Sequence, residues 1–346
     1  MQRSTVRTMT AFLTAIAIGA LLWGPAASRS DAEGVVEAQW SARAPLPEQR
    51  TEVSVATDGE RIYLAGGFGP PAAGEPAPRT VWAYTPAGDS WEAIGELPEG
   101  LNHAAMAYHS GQLFVLGGFR EATFEPIAEV RILNLGSGEW RDGEPMPTPR
   151  GAAGFTVLNG RIHVVGGNVP SPEVVAGMPD VIVTEDRSVN VHEAYDPKAD
   201  TWTTLAPMPT PRNHLAAAAL DGRIHAVLGR ADGDFTFATH EIYDPETDVW
   251  EKGPPVPTGR SGVAAVAHDG YLYTFGGEDF ANDGRTFDEA ERFDPAANEW
   301  QSLPPMPTAR HGLGAASHDT GIYVISGGPQ AGFSFGDMNE RLTVEP

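Results

Sequence analysis

Residues 250–300 read WEKGPPVPTGRSGVAAVAHDGYLYTFGGEDFANDGRTFDEAERFDPAANEW, and four short β-strand patterns can be read from this stretch. Asp269-Gly270 is a two-residue turn that suits the twist of a β-hairpin and precedes an alternating strand at 271–275. A third strand runs into the turn at Asp294-Pro295, and Trp300 lies in a fourth. Alternating residues and turn signals at this density favour strands over helix.

The same unit recurs along the chain. Tryptophans follow one another at intervals of 48 to 62 residues, and diglycine pairs stand at matching places between them. These tryptophans are Trp40, Trp91, Trp140, Trp202, Trp250 and Trp300. A period near fifty residues is typical of kelch repeats. On these landmarks the chain resembles the kelch-repeat family over residues 37–344, and the resemblance implies a β-propeller.

The predicted fold class is all-β: a six-bladed kelch-type β-propeller over residues 31–346. The first tryptophan strand, around Trp40, lacks the strands that should precede it, and the last repeat ends near 341–344 without a tryptophan strand. We therefore expect the Trp40 strand to complete the last blade. Closing the ring in this way removes the exposed sheet edges that an open array would leave.

The first 30 residues resemble a signal peptide. Arg3 and Arg7 precede an apolar run over 11–23, and small residues follow at 25–28. The apolar run is short for a permanent membrane helix, although an uncleaved anchor is the alternative. We expect an exported protein, periplasmic or extracellular, with no membrane span in the mature chain.

Charge and cysteine content exclude several functions. The net charge is -23, and residues 1–30 hold three arginines and no acid, so nucleic-acid binding is not expected. The chain has no cysteine, which excludes disulfides and cysteine chemistry. Copper radical oxidases of the galactose oxidase type share the propeller architecture but need a cysteine cross-linked to tyrosine. With no local metal-ligand motif either, we predict no metal and no cofactor.

Loop lengths indicate where a site should lie. The turns after the first and third strands of each repeat are tight and uniform, whereas the connections after the second and fourth strands vary. Repeat three carries about a dozen additional residues within 168–190. In an up-and-down blade the two variable connections share one side, which we call the variable-loop face. Loops on a rigid scaffold carry function, so we predict the site there.

Five arginines open the first strands of five repeats: Arg50, Arg150, Arg212, Arg260 and Arg310. A residue repeated in five of six blades can serve the blade itself, by bonding carbonyl oxygens or packing on an aromatic ring. In the alternative interpretation they form a positive ring near the channel, suited to carboxylate or phosphate ligands. Both interpretations are open on the sequence, and the candidate ligand-binding arginines are Arg150, Arg212, Arg260 and Arg310.

Polar residues that break the repeat are the stronger candidates. They follow the arginine position in three blades and combine donors, acceptors and imidazoles that titrate near neutrality. These residues are Asn102, His103, Asn213, His214 and His311. The alternative is that they are loop residues satisfied by neighbouring backbone. By contrast, His163 and His225 stand where other repeats have tyrosine or phenylalanine, so we predict that they pack in second strands.

Two functions remain open. The favoured one is an extracytoplasmic binding module that holds a protein, a peptide or an acidic glycan on the variable-loop face. The alternative is a carbohydrate-active enzyme such as a sialic-acid mutarotase or epimerase, whose reaction needs an acid, a base and a clamp for the sugar carboxylate. If the ligand is an anion, protonation of His214 and His311 should strengthen binding as the pH falls from about 8 to 6.

Overall fold

The computed structural model describes residues 37–70, 77–121, 123–281 and 284–345 of the 346-residue chain. The expected signal peptide, residues 1–30, lies outside the described residues. Within the described ranges, no helix has the length and hydropathy needed to cross a bilayer.

The described residues form 29 β-strands and a single turn of 3₁₀ helix at Pro172–Val175. Up to the end of the second repeat the strands are β1 (Ala38–Ala42), β2 (Ser54–Thr57), β3 (Ile62–Ala65), β4 (Thr80–Thr85), β5 (Ser90–Glu96), β6 (Leu101–Asn102), β7 (Ala105–His109), β8 (Gln112–Leu116), β9 (Phe119–Arg120), β10 (Glu125–Pro126), β11 (Val130–Asn134) and β12 (Trp140–Gly143). The third and fourth repeats contain β13 (Gly154–Leu158), β14 (Arg161–Val165), β15 (His192–Asp196), β16 (Thr201–Leu205), β17 (Ala216–Leu220), β18 (Arg223–Val227), β19 (His240–Asp244) and β20 (Val249–Lys252). The last two contain β21 (Ala264–His268), β22 (Tyr271–Phe275), β23 (Glu278–Asp279), β24 (Arg285–Thr286), β25 (Ala290–Asp294), β26 (Glu299–Ser302), β27 (Gly314–His318), β28 (Gly321–Ile325) and β29 (Asn339–Val344).

Six antiparallel sheets of four strands make up the blades in the described part of the chain. Blade one consists of β2–β5, blade two of β7, β8, β11 and β12, and blade three of β13–β16. Blade four consists of β17–β20, and blade five of β21, β22, β25 and β26. Blade six consists of β27, β28 and β29, with β1 as its outer strand. Trp40 of β1 stands opposite Leu342 of β29, which is the pairing that the sequence predicts. The all-β prediction is confirmed.

Tight turns join the first strand of a blade to the second. In four blades both turn residues have positive φ: Ser110-Gly111, Asn159-Gly160, Asp221-Gly222 and Asp269-Gly270. Two consecutive positive φ angles produce the type I′ turn, whose twist matches that of the flanking strands. Because the strands alternate in direction, these turns lie on the side of the propeller opposite to the variable-loop face.

Apolar cores lie between neighbouring blades. Tyr63 of blade one and Val115 of blade two belong to one buried cluster. Ile325 of blade six and Leu64 of blade one belong to another. Burying one such side chain contributes about 1.5–3 kcal/mol. The last blade is therefore joined to the first by the same kind of core that joins the others.

A backbone hydrogen bond links each glycine landmark to the arginine position of the next blade. The N–H of Gly277 donates to the carbonyl oxygen of Arg310 at 2.9 Å. A side chain on Gly276 would collide with that same oxygen, and the φ of Gly276 is +60°. Glycine at this position lets blades five and six approach at the backbone. Leu228 and Ser326 occupy the equivalent position in blades four and six, with φ of +61° and +62°.

Candidate functional site

A cavity of about 380 Å³, the central pocket, opens on the variable-loop face, and all six blades contribute to its lining. Six polar side chains form the polar floor of this pocket: Glu52, His103, His214, Arg230, Glu278 and His311. Five phenylalanines form its aromatic rim: Phe68, Phe119, Phe124, Phe280 and Phe333.

A ring of backbone hydrogen bonds positions part of the floor. One residue per blade, two positions after the arginine position, has a φ between +49° and +66°. From the second blade onward, each of these residues donates its N–H to the carbonyl oxygen of the equivalent residue in the preceding blade, at 2.8–3.2 Å. The N–H of Val53 donates to the carbonyl oxygen of Gly312 at 3.3 Å and so completes the ring. The six residues are Glu52, His103, Ala152, His214, Gly262 and Gly312. Left-handed conformations at four non-glycine positions cost free energy, and such conformations cluster at functional sites.

Three of the floor side chains meet at one point. The Nε2 atom of His103 lies 3.1 Å from Oε2 of Glu52 and 3.0 Å from Nε2 of His214. The Nδ1 of His103 lies 2.7 Å from Oδ1 of Asn102, and the Nδ1 of His214 contacts Oδ1 of Asn213 in the same way. Since an amide oxygen only accepts, both imidazoles carry their proton on Nδ1. Their Nε2 lone pairs therefore face the pocket.

The other three floor side chains complete a circuit. Arg230 donates to Nε2 of His214 at 2.9 Å and to Oε1 of Glu278 at 2.8 Å. Nε2 of His311 lies 3.4 Å from Oε2 of Glu278 and 3.5 Å from Oε1 of Glu52. The floor is thus one continuous network of side chains from blades one, two, four, five and six.

Burial sets the protonation of the floor. Desolvation, reinforced by the charge of Glu278, raises the pKa of Glu52 to about 8. Desolvation, reinforced by the charge of Arg230, lowers the pKa of His103 to about 3. Desolvation also lowers the pKa of His214 and, despite the nearby Glu278, that of His311. Burial therefore works against the expectation that His214 and His311 gain protons between pH 8 and 6, because it favours the neutral imidazole.

Four of the rim rings, all but Phe280, form a connected cluster. The ring centre of Phe68 lies 5.5 Å from that of Phe124 and 5.4 Å from that of Phe333. The guanidinium of Arg230 lies 5.5 Å from the ring centre of Phe280, so rim and floor are in contact. Phe124, Phe280 and Phe333 are 46%, 44% and 71% exposed. The pocket therefore combines an apolar, solvent-facing entrance with a buried polar base.

The candidate arginines Arg150, Arg212, Arg260 and Arg310 do not line the pocket. Each is at most 1% exposed and forms an ion pair with a glutamate of the third strand of its own blade. Arg212, for example, lies 2.5 Å from Glu241, and its other N–H groups donate to backbone carbonyl oxygens at 2.9–3.1 Å. Of the two interpretations left open by the sequence, the positive ring is contradicted, because buried carboxylates neutralise these arginines and the blades enclose them. They serve the blades.

Four of the five repeat-breaking candidates lie at the central pocket, and the fifth, Asn102, contacts His103 without lining the pocket. His103, Asn213, His214 and His311 line the central pocket. Asn213 is held by a 2.6 Å hydrogen bond from its Nδ2 to Oγ of Ser188, in the insertion of repeat three. His163 and His225 are buried in the second strands, as the sequence predicts.

Sequence reasoning missed three floor residues and the rim. Glu52 stands two positions after Arg50, where repeats two and four have His103 and His214. Arg230 follows the altered glycine landmark of repeat four, and Glu278 follows the diglycine of repeat five. Aligning the repeats position by position would have revealed all three as departures. The same alignment places Phe68 and Phe119 directly after the diglycines of repeats one and two. Phe124, Phe280 and Phe333 lie further along connections of unequal length, where no alignment holds.

Family models match much of the chain. The KLHDC2/KLHL20/DRC7 Kelch-repeats domain matches residues 92–277, and the Kelch motif matches residues 49–98 and 259–307. The chain belongs to the kelch-repeat family. Kelch propellers generally act as protein-binding modules, and a binding role of this kind agrees with the pocket.

Individual relatives share the propeller region. Kelch-like protein 40 of Xenopus tropicalis is 27% identical over 196 residues, which are 57% of this chain and 29% of that protein. Kelch-like protein terF of Aspergillus terreus is 29% identical over 191 residues, 54% of this chain and 40% of that protein. The chain thus matches well under half the length of these relatives. The solved structure of YjhT has a TM-score of 0.71 at 18% identity, with 88% of this chain and all of YjhT covered, and so shows the shared fold.

Proposed function

We propose that this kelch propeller acts outside the cytoplasm and binds a protein partner on its variable-loop face, with one partner side chain inserted in the central pocket. The aromatic rim carries the proposal. Of the five most exposed large apolar side chains in the described part of the chain, three are rim residues: Phe124, Phe280 and Phe333. Exposed apolar patches with polar surroundings mark interaction sites, and aromatic residues dominate the binding energy of interfaces.

The chemistry of the pocket defines the partner. An apolar entrance above hydrogen-bonding groups fits a side chain with an apolar body and a polar tip, which is tyrosine or tryptophan. Arg230, Glu52 and Glu278 line the same pocket as the rim phenylalanines and offer polar groups to such a tip. Because the chain carries a net charge of -23, a basic segment would be attracted during encounter. The proposed ligand is therefore a basic peptide segment with a tyrosine or tryptophan anchor.

Selection from a random peptide library on the purified full chain tests this function. We expect basic peptides with one aromatic anchor, and replacing the anchor by alanine should weaken binding at least about 30-fold, equivalent to about 2 kcal/mol for an interface hot spot. The double variant Phe124→Ser/Phe333→Ser should lose binding. The matched control is Val249→Ser, which removes an apolar side chain, 55% exposed, on the opposite side of the propeller. Selected peptides without an anchor, or binding that survives the rim variant, would refute the proposal.

Export is supported by the signal-peptide pattern of residues 1–30. Expression of the full chain with a carboxyl-terminal tag in a bacterial host, followed by fractionation and intact-mass measurement, tests this part. We expect the protein in the periplasm or medium, with a mass that corresponds to cleavage near residues 25–30. Full-length protein confined to the cytoplasm would contradict export without touching the binding proposal.

One observation favours the enzymatic alternative as a second candidate. A carboxyl group and an imidazole, those of Glu52 and His103, lie 3.1 Å apart on the pocket floor, beside the cation of Arg230. An acid, a base and a cation are what mutarotation of an acidic sugar requires. Proton NMR of freshly dissolved sialic acid would show faster anomer exchange with the protein and a loss of that gain in Glu52→Gln. Equal exchange rates with and without protein would exclude this alternative.

A further inference from the structure

Three metal-ligand atoms converge on the pocket floor from three different blades. The Nε2 atom of His103 lies 3.0 Å from Nε2 of His214 and 3.1 Å from Oε2 of Glu52, and the ligand atoms of all three side chains lie within 4.8 Å of one another. In a tetrahedral zinc site with metal–ligand bonds of about 2.0–2.1 Å, neighbouring ligand atoms are about 3.3 Å apart. The separations of 3.0 and 3.1 Å are close to that value.

The hydrogen bonds of the two imidazoles prepare them as ligands. His103 and His214 each donate the Nδ1 proton to a side-chain amide oxygen, of Asn102 and Asn213, so that the free lone pair is on Nε2. Metal-binding histidines use this outer-shell contact to fix the tautomer and the ring orientation. The Nε2 lone pairs of His103 and His214 face each other at 3.0 Å, and a cation between them would relieve this contact. Arg230 provides a donor to only one of them, His214.

We propose that Glu52, His103 and His214 bind one divalent transition-metal ion, with Zn²⁺ as the ion to test. Two histidines and one carboxylate form a common ligand set for zinc and for non-haem iron. All three residues line the central pocket, so a remaining coordination position would be open to it. Arg230 would release His214 and keep its 2.8 Å ion pair with Glu278, which balances its charge.

A second group of possible ligands, Glu52, Glu278 and His311, is the weaker candidate. Glu278 already accepts hydrogen bonds from Arg230 at 2.8 Å and from the N–H of Gly332 at 3.0 Å. The side chains of Glu278 and His311 are also 2% and 1% exposed, whereas the first trio is only partly buried. This difference supplies the control for the experiment.

Equilibrium dialysis of the full chain against ZnCl₂, with metal analysis by mass spectrometry, tests the site. We expect one bound equivalent, and an absorption spectrum of the Co²⁺-loaded protein typical of a low-coordinate nitrogen and oxygen site. His103→Asn and His214→Asn should weaken binding at least about 100-fold, and Asn213→Ala about 10–100-fold as the loss of an outer-shell contact. Asparagine is chosen because it tolerates the positive φ of both histidine positions. His311→Asn should weaken binding far less than either of these histidine variants, and His318→Asn, at a histidine outside the pocket, should bind as the wild type does.

Several results would overturn the site. They are no bound Zn²⁺ in the wild-type protein, binding that His103→Asn and His214→Asn leave unchanged, and binding that only His311→Asn abolishes. Binding of several Zn²⁺ ions with low affinity, unchanged in all the variants, would indicate metal binding to the acidic surface. This result would also refute the site. Melting curves of each variant show whether it is folded. The zinc experiment uses no peptide, so a negative result would leave the protein-binding proposal standing. A negative result in the peptide selection would likewise leave the metal site standing.

Discussion

The backbone N–H of Gly327, in the last repeat, donates a hydrogen bond of 3.1 Å to the carbonyl oxygen of Arg50, in the first repeat. The equivalent bond joins Gly277 to Arg310 at 2.9 Å between blades five and six. The contact between the two ends of the chain therefore repeats the contact between consecutive blades. Because blade six also takes its outer strand from the beginning of the chain, its stability depends on residues that are distant in sequence.

Trp40→Ala should weaken this closure. The indole N–H of Trp40 donates to the carbonyl oxygen of Pro304 at 2.9 Å, and its ring meets that of Phe275 edge-on at 5.8 Å. Truncation of a tryptophan costs about 3–5 kcal/mol in a core, and about 3 kcal/mol is expected for this partly buried ring. The melting temperature should fall by about 5–10 °C in calorimetry. Gln39→Ala, an exposed neighbour on the same strand, is the control, and equal effects of both changes would disprove the closure role of Trp40.

Arg212→Met should destabilise the protein strongly. Both Arg212 and Glu241 have fully buried side chains, and removing one partner leaves the other charge unpaired in the blade. Breaking a buried pair in this way costs about 3–5 kcal/mol, measured as the free energy of unfolding in urea. Replacing both partners, in Arg212→Met/Glu241→Met, should recover much of that loss because no charge is left unpaired.

The matched control for the buried pair lies in the same blade. Arg223 pairs with Glu251 at 2.6 Å, but their side chains are 44% and 57% exposed. Arg223→Met should cost less than about 1 kcal/mol, because solvent screens such a pair. If Arg212→Met were as mild as Arg223→Met, the interpretation of the repeated arginines as blade supports would be wrong.

The repeats predict the fold because their signals are local. A two-residue turn such as Asp269-Gly270, a diglycine and a tryptophan each report on a few neighbouring residues, and each recurs at the same place in successive units. The role of the arginines was also within reach of the sequence. A glutamate stands two residues before the third-strand aromatic in repeats three to five, and repeat two lacks both this glutamate and the arginine. That paired absence points to an internal ion pair, although repeat one has Trp82 at the glutamate position and its Arg50 pairs with Glu48 instead.

The site was less accessible to sequence reasoning. The atoms of Glu52, His103 and His214 that meet at 3.0–3.1 Å come from repeats one, two and four, so no local spacing connects them. These atoms are close in space only because the closed ring of blades places the three residues at the same distance from the propeller axis. The depth of the pocket matters as well, because burial lowers the pKa of His103 and of His214 from the ordinary imidazole value, and residue type alone does not show this.

Acid should destabilise the propeller through histidines packed in blades three and four. Burial lowers the pKa of His163 and of His240 to about 4, and that of His225 to about 3. In the unfolded chain these histidines bind protons near pH 6.5, whereas in the folded state they bind them only at lower pH. The free energy of unfolding should therefore decrease as the pH falls from 6.5 towards 4, and these histidines should not change it above pH 6.5. Melting temperatures measured from pH 7.5 to 4 should show this decline.

His225→Phe should make the acid dependence shallower. His240 donates from Nδ1 to the carbonyl oxygen of Pro254 at 3.1 Å, so its Nε2 accepts from Nδ1 of His225 at 2.9 Å, and both rings must stay neutral. Phenylalanine fits this slot in blade two, at Phe114. The variant should melt lower than the wild type at pH 7.5 and approach it at pH 4. His318→Phe, at a solvent-exposed hydrogen bond, is the control, and parallel curves for His225→Phe and wild type would contradict the assignment.

Gly276→Ala should separate the two reasons for a glycine at the blade junction. Gly276 and Gly270 both have positive φ, +60° and +80°, but a methyl group at 276 would collide with the carbonyl oxygen of Arg310, whereas nothing lies within 4 Å of one at 270. Gly270→Ala should therefore cost only the backbone strain of about 1–2 kcal/mol. Gly276→Ala adds overpacking and should cost about 2–5 kcal/mol in urea unfolding. If the two variants unfold alike, conformation alone explains the diglycines, and the close approach of neighbouring blades tolerates a methyl group.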